Sequence, residues 1–343
     1  MAVETISKAA EIIKNGGLVA FPTETVYGLG ADAFNPQAVA RVYLAKGRPG
    51  DNPLILHIAT IEQFLELADS PPPYAMTLIK ACWPGPLTLI IKKKPHLPAW
   101  VGGHPNKTTQ TIGIRMPSHP VAKALLQASN CPIAAPSANK SGRPSPTTTS
   151  HVIDDFAATG ELDMILDGEN SDIGIESTVV DMTGAYPVIL RPGSITAETI
   201  WEVTGLKSGT STAADTSPPR SPGMKYRHYA PKAPMQILKG EPHNIAAYIL
   251  KQCTENPSKE HQVGVLVTDS VNNILSGKIP QNVEMMILGN NNNDIAQNLF
   301  AHLRRFDKLN VKIIYTEAVL DTGIGIAIMD RMLKAAEGNV FEV

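Results

Sequence analysis

Two α/β domains in series are what this 343-residue sequence predicts, and length, patterning and one composition shift predict them. The chain exceeds the roughly 100–200 residues usual for one domain. Helical and strand-like apolar patterns alternate from the first residues onward, which argues for sheets layered with helices. Between Gly205 and Pro234 the stretch KSGTSTAADTSPPRSPG lacks hydrophobic periodicity, and it reads as an interdomain linker. The expected division is therefore 1–205, 206–233 and 234–343.

In the first domain, Ile6, Ala9, Ile12 and Ile13 form a helical stripe closed by Gly16 and Gly17. Leu18 to Phe21 then reads as a buried strand, and Pro22 to Asp32 as a loop. A helix opened by Asn35 and Pro36 follows, then a strand at Pro53 to Ile58 and a helix at Ile61 to Ala68. Further strands are expected at Leu87 to Ile91, Thr111 to Met116, Ile133 to Ala135, Thr178 to Met182 and Val188 to Leu190.

Beyond the linker, strand patterns at Met235 to Leu238, Val263 to Val267, Val283 to Leu288 and Val311 to Tyr315 alternate with helical ones. The helices are expected at Ile245 to Lys251, Ile295 to Phe306 and Ile324 to Ala336. Such alternation predicts a small Rossmann-like parallel α/β domain, although no glycine fingerprint opens its first helix. Asn290 to Asn293 is expected to be a polar loop capping the next helix.

Composition excludes several classes. With 30 basic and 32 acidic residues and a net charge of −2, the chain has no global electrostatic footprint for nucleic acid. No run approaches the ~20 apolar residues of a membrane helix, and the acidic, amphipathic N-terminus is no secretory signal. Cys82, Cys131 and Cys253 are widely spaced, which favours small buried apolar roles in a reducing compartment. A cytoplasmic protein without membrane contact is the expectation. The nine histidines form no H-E-x-x-H or close His/Cys set, so no protein-ligated metal is expected.

Polar residues that folding alone explains poorly gather in the first domain. FPTETVYGLGAD, Phe21 to Asp32, follows a strand and carries two Thr, a Glu and a Tyr, yet matches no standard nucleotide-binding glycine motif; a glycine-dependent turn explains it equally. In YLAKGRPGDNPLILH, Lys46 and Arg48 flank a glycine at a helix end. Cations there either complement the helix dipole or hold a triphosphate. Arg115, near the end of the apolar strand in TIGIRMP, needs an anion if buried: a substrate carboxylate or a protein one. Ser137, Ser141 and Ser145 lie among prolines and glycines of APSANKSGRPSPT, either as an ordinary turn-rich loop or as a phosphate cradle. ESTVVD and LRPGS complete the set.

In combination, PTETxYGL, KxRPxxNPL, APSAN and SPGMxxxHYAP in this order resemble the Sua–YciO–YrdC family, in its long form with an added carboxy-terminal domain. The resemblance spans the whole chain. It implies a YrdC-like twisted mixed sheet and an enzyme, a nucleotidyltransferase, that condenses L-threonine, bicarbonate and ATP into threonylcarbamoyl-AMP and pyrophosphate. Mg2+ would accompany ATP, and downstream transferase proteins would pass the product to adenosine in tRNA. Carried over by motif, the threonine pocket would comprise Thr25, His57, Arg115, Ala135 and Ser177. The ATP side would comprise Lys46, Arg48, Asn52, Thr111, Ser137, Ser145, Arg191 and, from the linker, Tyr229. Lys46 and Arg48 would act catalytically on the phosphates.

Neither carboxylation of the amine nor adenylation of the carbamate demands a covalent nucleophile, so positioning and charge stabilisation are expected to dominate. His57 is expected to orient substrate rather than transfer a proton. Lys225, Arg227, His228 and Tyr229 suggest that Ser221 to Pro231 is either a docking segment or a lid over ATP. Two other readings stand beside this one: a carbamoyl-adenylate former using carbamoyl phosphate, and a non-catalytic RNA-binding module, whose binding would weaken steeply with salt.

Overall fold

Apolar alternation in the first half of the chain is resolved, in a computed structural model describing residues 3–210, 228–255 and 263–343, into one mixed sheet with helices on it. The elements there are α1 (Val3–Lys14), β1 (Val19–Phe21), β2 (Gly28–Asp32), α2 (Pro36–Lys46), β3 (Ile55–His57), α3 (Ile61–Leu67), α4 (Pro73–Cys82), β4 (Leu87–Lys92), β5 (Thr111–Arg115), α5 (Pro120–Ser129), β6 (Ile133–Ala134), α6 (Thr149–Phe156), β7 (Met164–Ile165), β8 (Thr178–Asp181), β9 (Val188–Arg191), α7 (Ala197–Thr204) and β10 (Gly209–Thr210). The sheet runs β10-β9-β8-β4-β5-β3-β6-β2-β1-β7. Its parallel pairs, such as β3 with β5 and β4 with β8, adjoin antiparallel ones such as β4 with β5.

One expectation changes here. Pro22 to Asp32 is not loop throughout, since Gly28–Asp32 forms β2, antiparallel to β1. The glycines that suggested a turn serve close packing instead: a Cβ at Gly30 would meet Phe21 and Ile133 side chains at 2.8 and 2.7 Å.

Alternation then decides which face carries the chemistry. Leu56, Leu89, Ile91, Ile112 and Ile114 belong to the main apolar core. With a side-chain period of two, Ile55 and His57, Thr88 and Ile90, and Thr111, Gly113 and Arg115 turn to the opposite face. Registers Leu89↔Ile114 and Leu56↔Ile114 put these residues side by side on three adjacent strands.

Contacts divide the chain into two compact units, Met1–Ser141 with Ser145–Tyr226, and Gly142–Pro144 with Arg227–Val343. The second contains β11 (Met235–Lys239), α8 (Pro242–Glu255), β12 (Val263–Val267), α9 (Asp269–Leu275), β13 (Val283–Ile287), α10 (Asn292–Leu309), β14 (Ile313–Glu317), α11 (Ile324–Ala335) and β15 (Val340–Glu342). Its sheet, ordered β13-β12-β14-β11-β15, is parallel throughout. Asn291 caps α10, its side chain accepting from Asn293 and Asp294 amides, which is how the asparagine run is used. Most of the linker, including Ser221 to Arg227 of the expected lid, lies outside the described residues. Among the described residues no helix is long and apolar enough to cross a membrane.

Candidate active site

The floor of the site follows from the face of β3, β4 and β5 opposite the main apolar core. His57 and Arg115 are register partners on β3 and β5, and Thr88 on β4 lies across from Arg115 on its other side. Farther along the same face, Ile55, Ile90, Thr111 and Gly113 line a cavity of about 1300 Å3 together with Lys92 and Lys93.

Arg115 is buried, and its anion is a protein carboxylate: Glu24 Oε1 stands 2.7 Å from its Nη2, with side-chain exposures of 6% and 5%. The two form a buried ion pair. Burial is the largest single influence and pushes the Glu24 pKa up, but the Arg115 charge, its hydrogen bond and the backbone amides of Glu24 and Ser118 together hold the carboxyl below its ordinary value. Arg115 Nη1 donates to Thr25 Oγ1 at 2.8 Å. Thr23 gives its proton to the Val26 carbonyl at 2.6 Å, so the 2.9 Å contact between Thr25 and Thr23 hydroxyls has Thr25 as donor. Thr25 is thereby oriented by the guanidinium on one side and Thr23 on the other.

His57 packs edge-on against Phe21, ring centroids 6.0 Å apart, and its Nδ1 lies 3.3 Å from the Ile55 carbonyl. Burial, reinforced by the Arg115 charge, pushes its pKa down to about 3, so the imidazole is neutral at physiological pH. Ala135 joins this neighbourhood through its backbone, donating its N–H to Ile55 O at 2.9 Å. Ser177 Oγ lies 2.8 Å from Thr88 Oγ1 and accepts from Arg191 Nη2 at 3.1 Å, while Arg191 Nε donates to the Ser177 carbonyl at 3.1 Å.

A second group is assembled from loops. Asn35 caps α2, Pro36 begins it, and Gly47 ends it in the left-handed region at φ 61°. This termination places Lys46 inside the last turn and Arg48 just beyond it. Lys46 Nζ donates to Ser137 O at 2.5 Å and to Asn139 O, and Ser141 N returns a bond to Lys46 O at 2.8 Å. Arg48 bonds the Asn52 carbonyl at 3.1 Å, its side-chain oxygen at 2.8 Å and Pro53 O at 2.7 Å, so Arg48 and Asn52 form one unit.

The serine-rich loop is pinned to β2, with Leu29 N donating to Pro136 O at 2.9 Å, Ala138 N to Tyr27 O at 2.8 Å and Tyr27 N to Pro146 O at 2.8 Å. Ser137 Oγ bonds Asn139 Oδ1 and Ser145 Oγ bonds Glu176 Oε1, each at 2.5 Å. Glu24, Asn139, Glu176 and Thr88 were given no role by sequence reasoning. Buried arginine implied an acid of unknown position; Thr88, alone in the apolar run LTLIIK, sent only the faint signal of a polar residue on one face. Tyr229 lies in the second unit, buried, stacked on Phe300 with ring centroids 5.2 Å apart and 5.7 Å from the Arg331 guanidinium carbon.

The three cysteines are free, two buried and one half-buried. Burial raises all three thiol pKa values, Cys131 to about 12 and Cys253 to about 11, which suppresses thiolate chemistry.

Residues 11–193 match the Sua5, YciO and YrdC family, described as telomere recombination, and residues 195–337 match the carboxy-terminal domain of threonylcarbamoyl-AMP synthase. The chain belongs to the Sua5–YciO–YrdC family. Within it, the chain is 43% identical over 339 residues to the threonylcarbamoyl-AMP synthase of Pyrococcus abyssi, covering 98% of this chain and 95% of that protein. It is 44% identical to the Bacillus subtilis enzyme of the same name, covering 98% and 94%. The crystal structure of P. abyssi Sua5 complexed with L-threonine superposes with a TM-score of 0.89 at 41% identity, covering 100% of this chain and 97% of that one. The Sua5 likeness thus extends over both sheets, and the mixed first sheet and parallel second sheet agree with the expected fold.

Proposed function

We infer that this enzyme joins L-threonine, bicarbonate and ATP into threonylcarbamoyl-AMP, releasing pyrophosphate, for later modification of tRNA. The observation that carries the reading is likeness along the entire chain to a Sua5 solved with L-threonine, with 41% identity and a TM-score of 0.89. Residues 1–205 would hold both half-sites, with 206–233 as lid and 234–343 as a supporting domain.

Threonine would bind on the strand floor. Arg115 there is fixed by Glu24 and Thr25, with Nη hydrogens left to meet a carboxylate, and Ala135 would contribute backbone. His57, neutral with its pKa near 3, acts through hydrogen bonding and shape rather than as a proton shuttle. The amine nitrogen attacks the carbon derived from bicarbonate with loss of water, and a carbamate oxygen then attacks the α-phosphorus of ATP as pyrophosphate departs. Ser177, tied to both Thr88 and Arg191, stands between the two half-sites as a donor to the carbamate.

ATP would lie over Thr111 and the loop group of Lys46, Arg48, Asn52, Ser137 and Ser145, with Arg191 on the carbamate side and Tyr229 contributed from the linker. Lys46 and Arg48 stabilise charge on the departing phosphates. Mg2+ would accompany ATP, held largely by its phosphates and by water.

The test is pyrophosphate release by purified protein with ATP, Mg2+, bicarbonate and threonine. Release that depends on threonine is expected; release no greater than in a control lacking threonine would overturn the reading.

A further inference from the structure

Thr88 is wholly buried on the floor strand β4, on the face that carries Arg115 and His57. Valine would pack equally well in the run LTLIIK, so the hydroxyl calls for an explanation. Its methyl faces Gly113, where a Cβ would approach Thr88 Cγ2 to 3.5 Å. Its oxygen lies 2.8 Å from Ser177 Oγ, which is its hydrogen-bond partner among the described residues.

Proton order around Ser177 is constrained by chemistry. Arginine only donates, so Ser177 Oγ accepts from Arg191 Nη2 at 3.1 Å. If Ser177 also donated to Thr88, its one proton would be spent, and the Thr88 proton would have no acceptor inside the sheet. If Thr88 donates instead, both Ser177 lone pairs are filled and the Ser177 proton is left over. A carboxylate or carbamate oxygen completes that second arrangement with a charge-assisted bond made only when substrate is present.

We propose that Thr88 is a positioning residue for the reaction: by donating to Ser177 it reserves the Ser177 hydroxyl proton for an oxygen of threonine or its carbamate. This rests on the placement of Ser177 in the threonine pocket under the proposed function. Bond order balances throughout, since no proton leaves either hydroxyl and no group is transferred.

Three variants test it in the full-length protein: Thr88→Val, which keeps shape and β-branching, Thr88→Ser, which restores the donor, and Ser177→Ala. The readouts are KM for threonine and for ATP from pyrophosphate release, and the thermal unfolding midpoint. Thr88→Val is expected to raise the threonine KM about tenfold, to leave the ATP KM within about twofold, and to keep the midpoint within about 2 °C. Thr88→Ser is expected within about threefold of the parent for threonine. An unchanged threonine KM in Thr88→Val beside a raised one in Ser177→Ala overturns the inference alone. Equal rises in both KM values with a lowered midpoint also overturn it, since a merely structural role does that. A harmless Ser177→Ala overturns it by removing Ser177 from the pocket, while threonine-dependent release by the parent protein would still uphold the overall reaction.

Discussion

Cations at the two halves of the candidate site are held in different ways. On the strand floor, Arg115 is met by the buried carboxylate of Glu24 at 2.7 Å, so its charge is balanced inside the protein. In the loops, Lys46 bonds the carbonyls of Ser137 and Asn139, and Arg48 bonds those of Asn52 and Pro53. Carbonyl oxygens fix where a cationic head group sits. The floor thus pairs charge with charge, whereas these loop contacts anchor their cations to the backbone of neighbouring turns.

Breaking the balanced side should have the largest effect. Glu24→Gln leaves Arg115 as an uncompensated buried cation and should destabilise the fold by about 3–5 kcal/mol, measured by denaturant unfolding. Lys46→Ala, by contrast, should cost only about 1–3 kcal/mol of stability, through the lost bonds to Ser137 and Asn139, and slow pyrophosphate release by about 10²–10³-fold, with calorimetric threonine affinity unchanged. If the two variants exchanged these signatures, the contrast between the half-sites would be wrong.

Acid should discriminate the halves next. The folded pKa of His57, about 3, lies below the ordinary value of 6.5, so the unfolded chain binds the extra proton. Its stabilising contribution is full above about pH 6.5 and is lost as pH falls toward 3, with a slope of at most about 1.4 kcal/mol per pH unit. His57→Gln should flatten the stability profile across that window, as followed by unfolding at stepped pH. Smallest of all, Arg48→Lys should raise the ATP KM about tenfold, because lysine cannot reproduce the fork onto Asn52 and Pro53, while the threonine KM stays put.

Much of the scaffold was legible. Strand runs such as Leu87 to Ile91 and Val263 to Val267 agree with β4 and β12 because periodicity reports burial directly. The α2 boundaries were readable at its start from Asn35 and Pro36, since capping is local chemistry. Helices α4, α5 and α6 are absent from the sequence reading, and β2 reads there as loop because glycine suggests a turn until a neighbour such as Phe21 shows why no side chain fits.

The sequence by itself determined the family, the two α/β folds and the residue types that meet phosphate and carboxylate, because motifs and periodicity are properties of neighbours along the chain. Only the tertiary structure decided how those residues are paired. That Arg115 takes Glu24 from 91 positions away, that Ser145 bonds Glu176 and that Thr88 meets Ser177 all depend on strand register and loop pinning. Such long-range pairings leave no periodic trace, so no reading of neighbours along the chain could name Glu24 as the protein carboxylate beside Arg115.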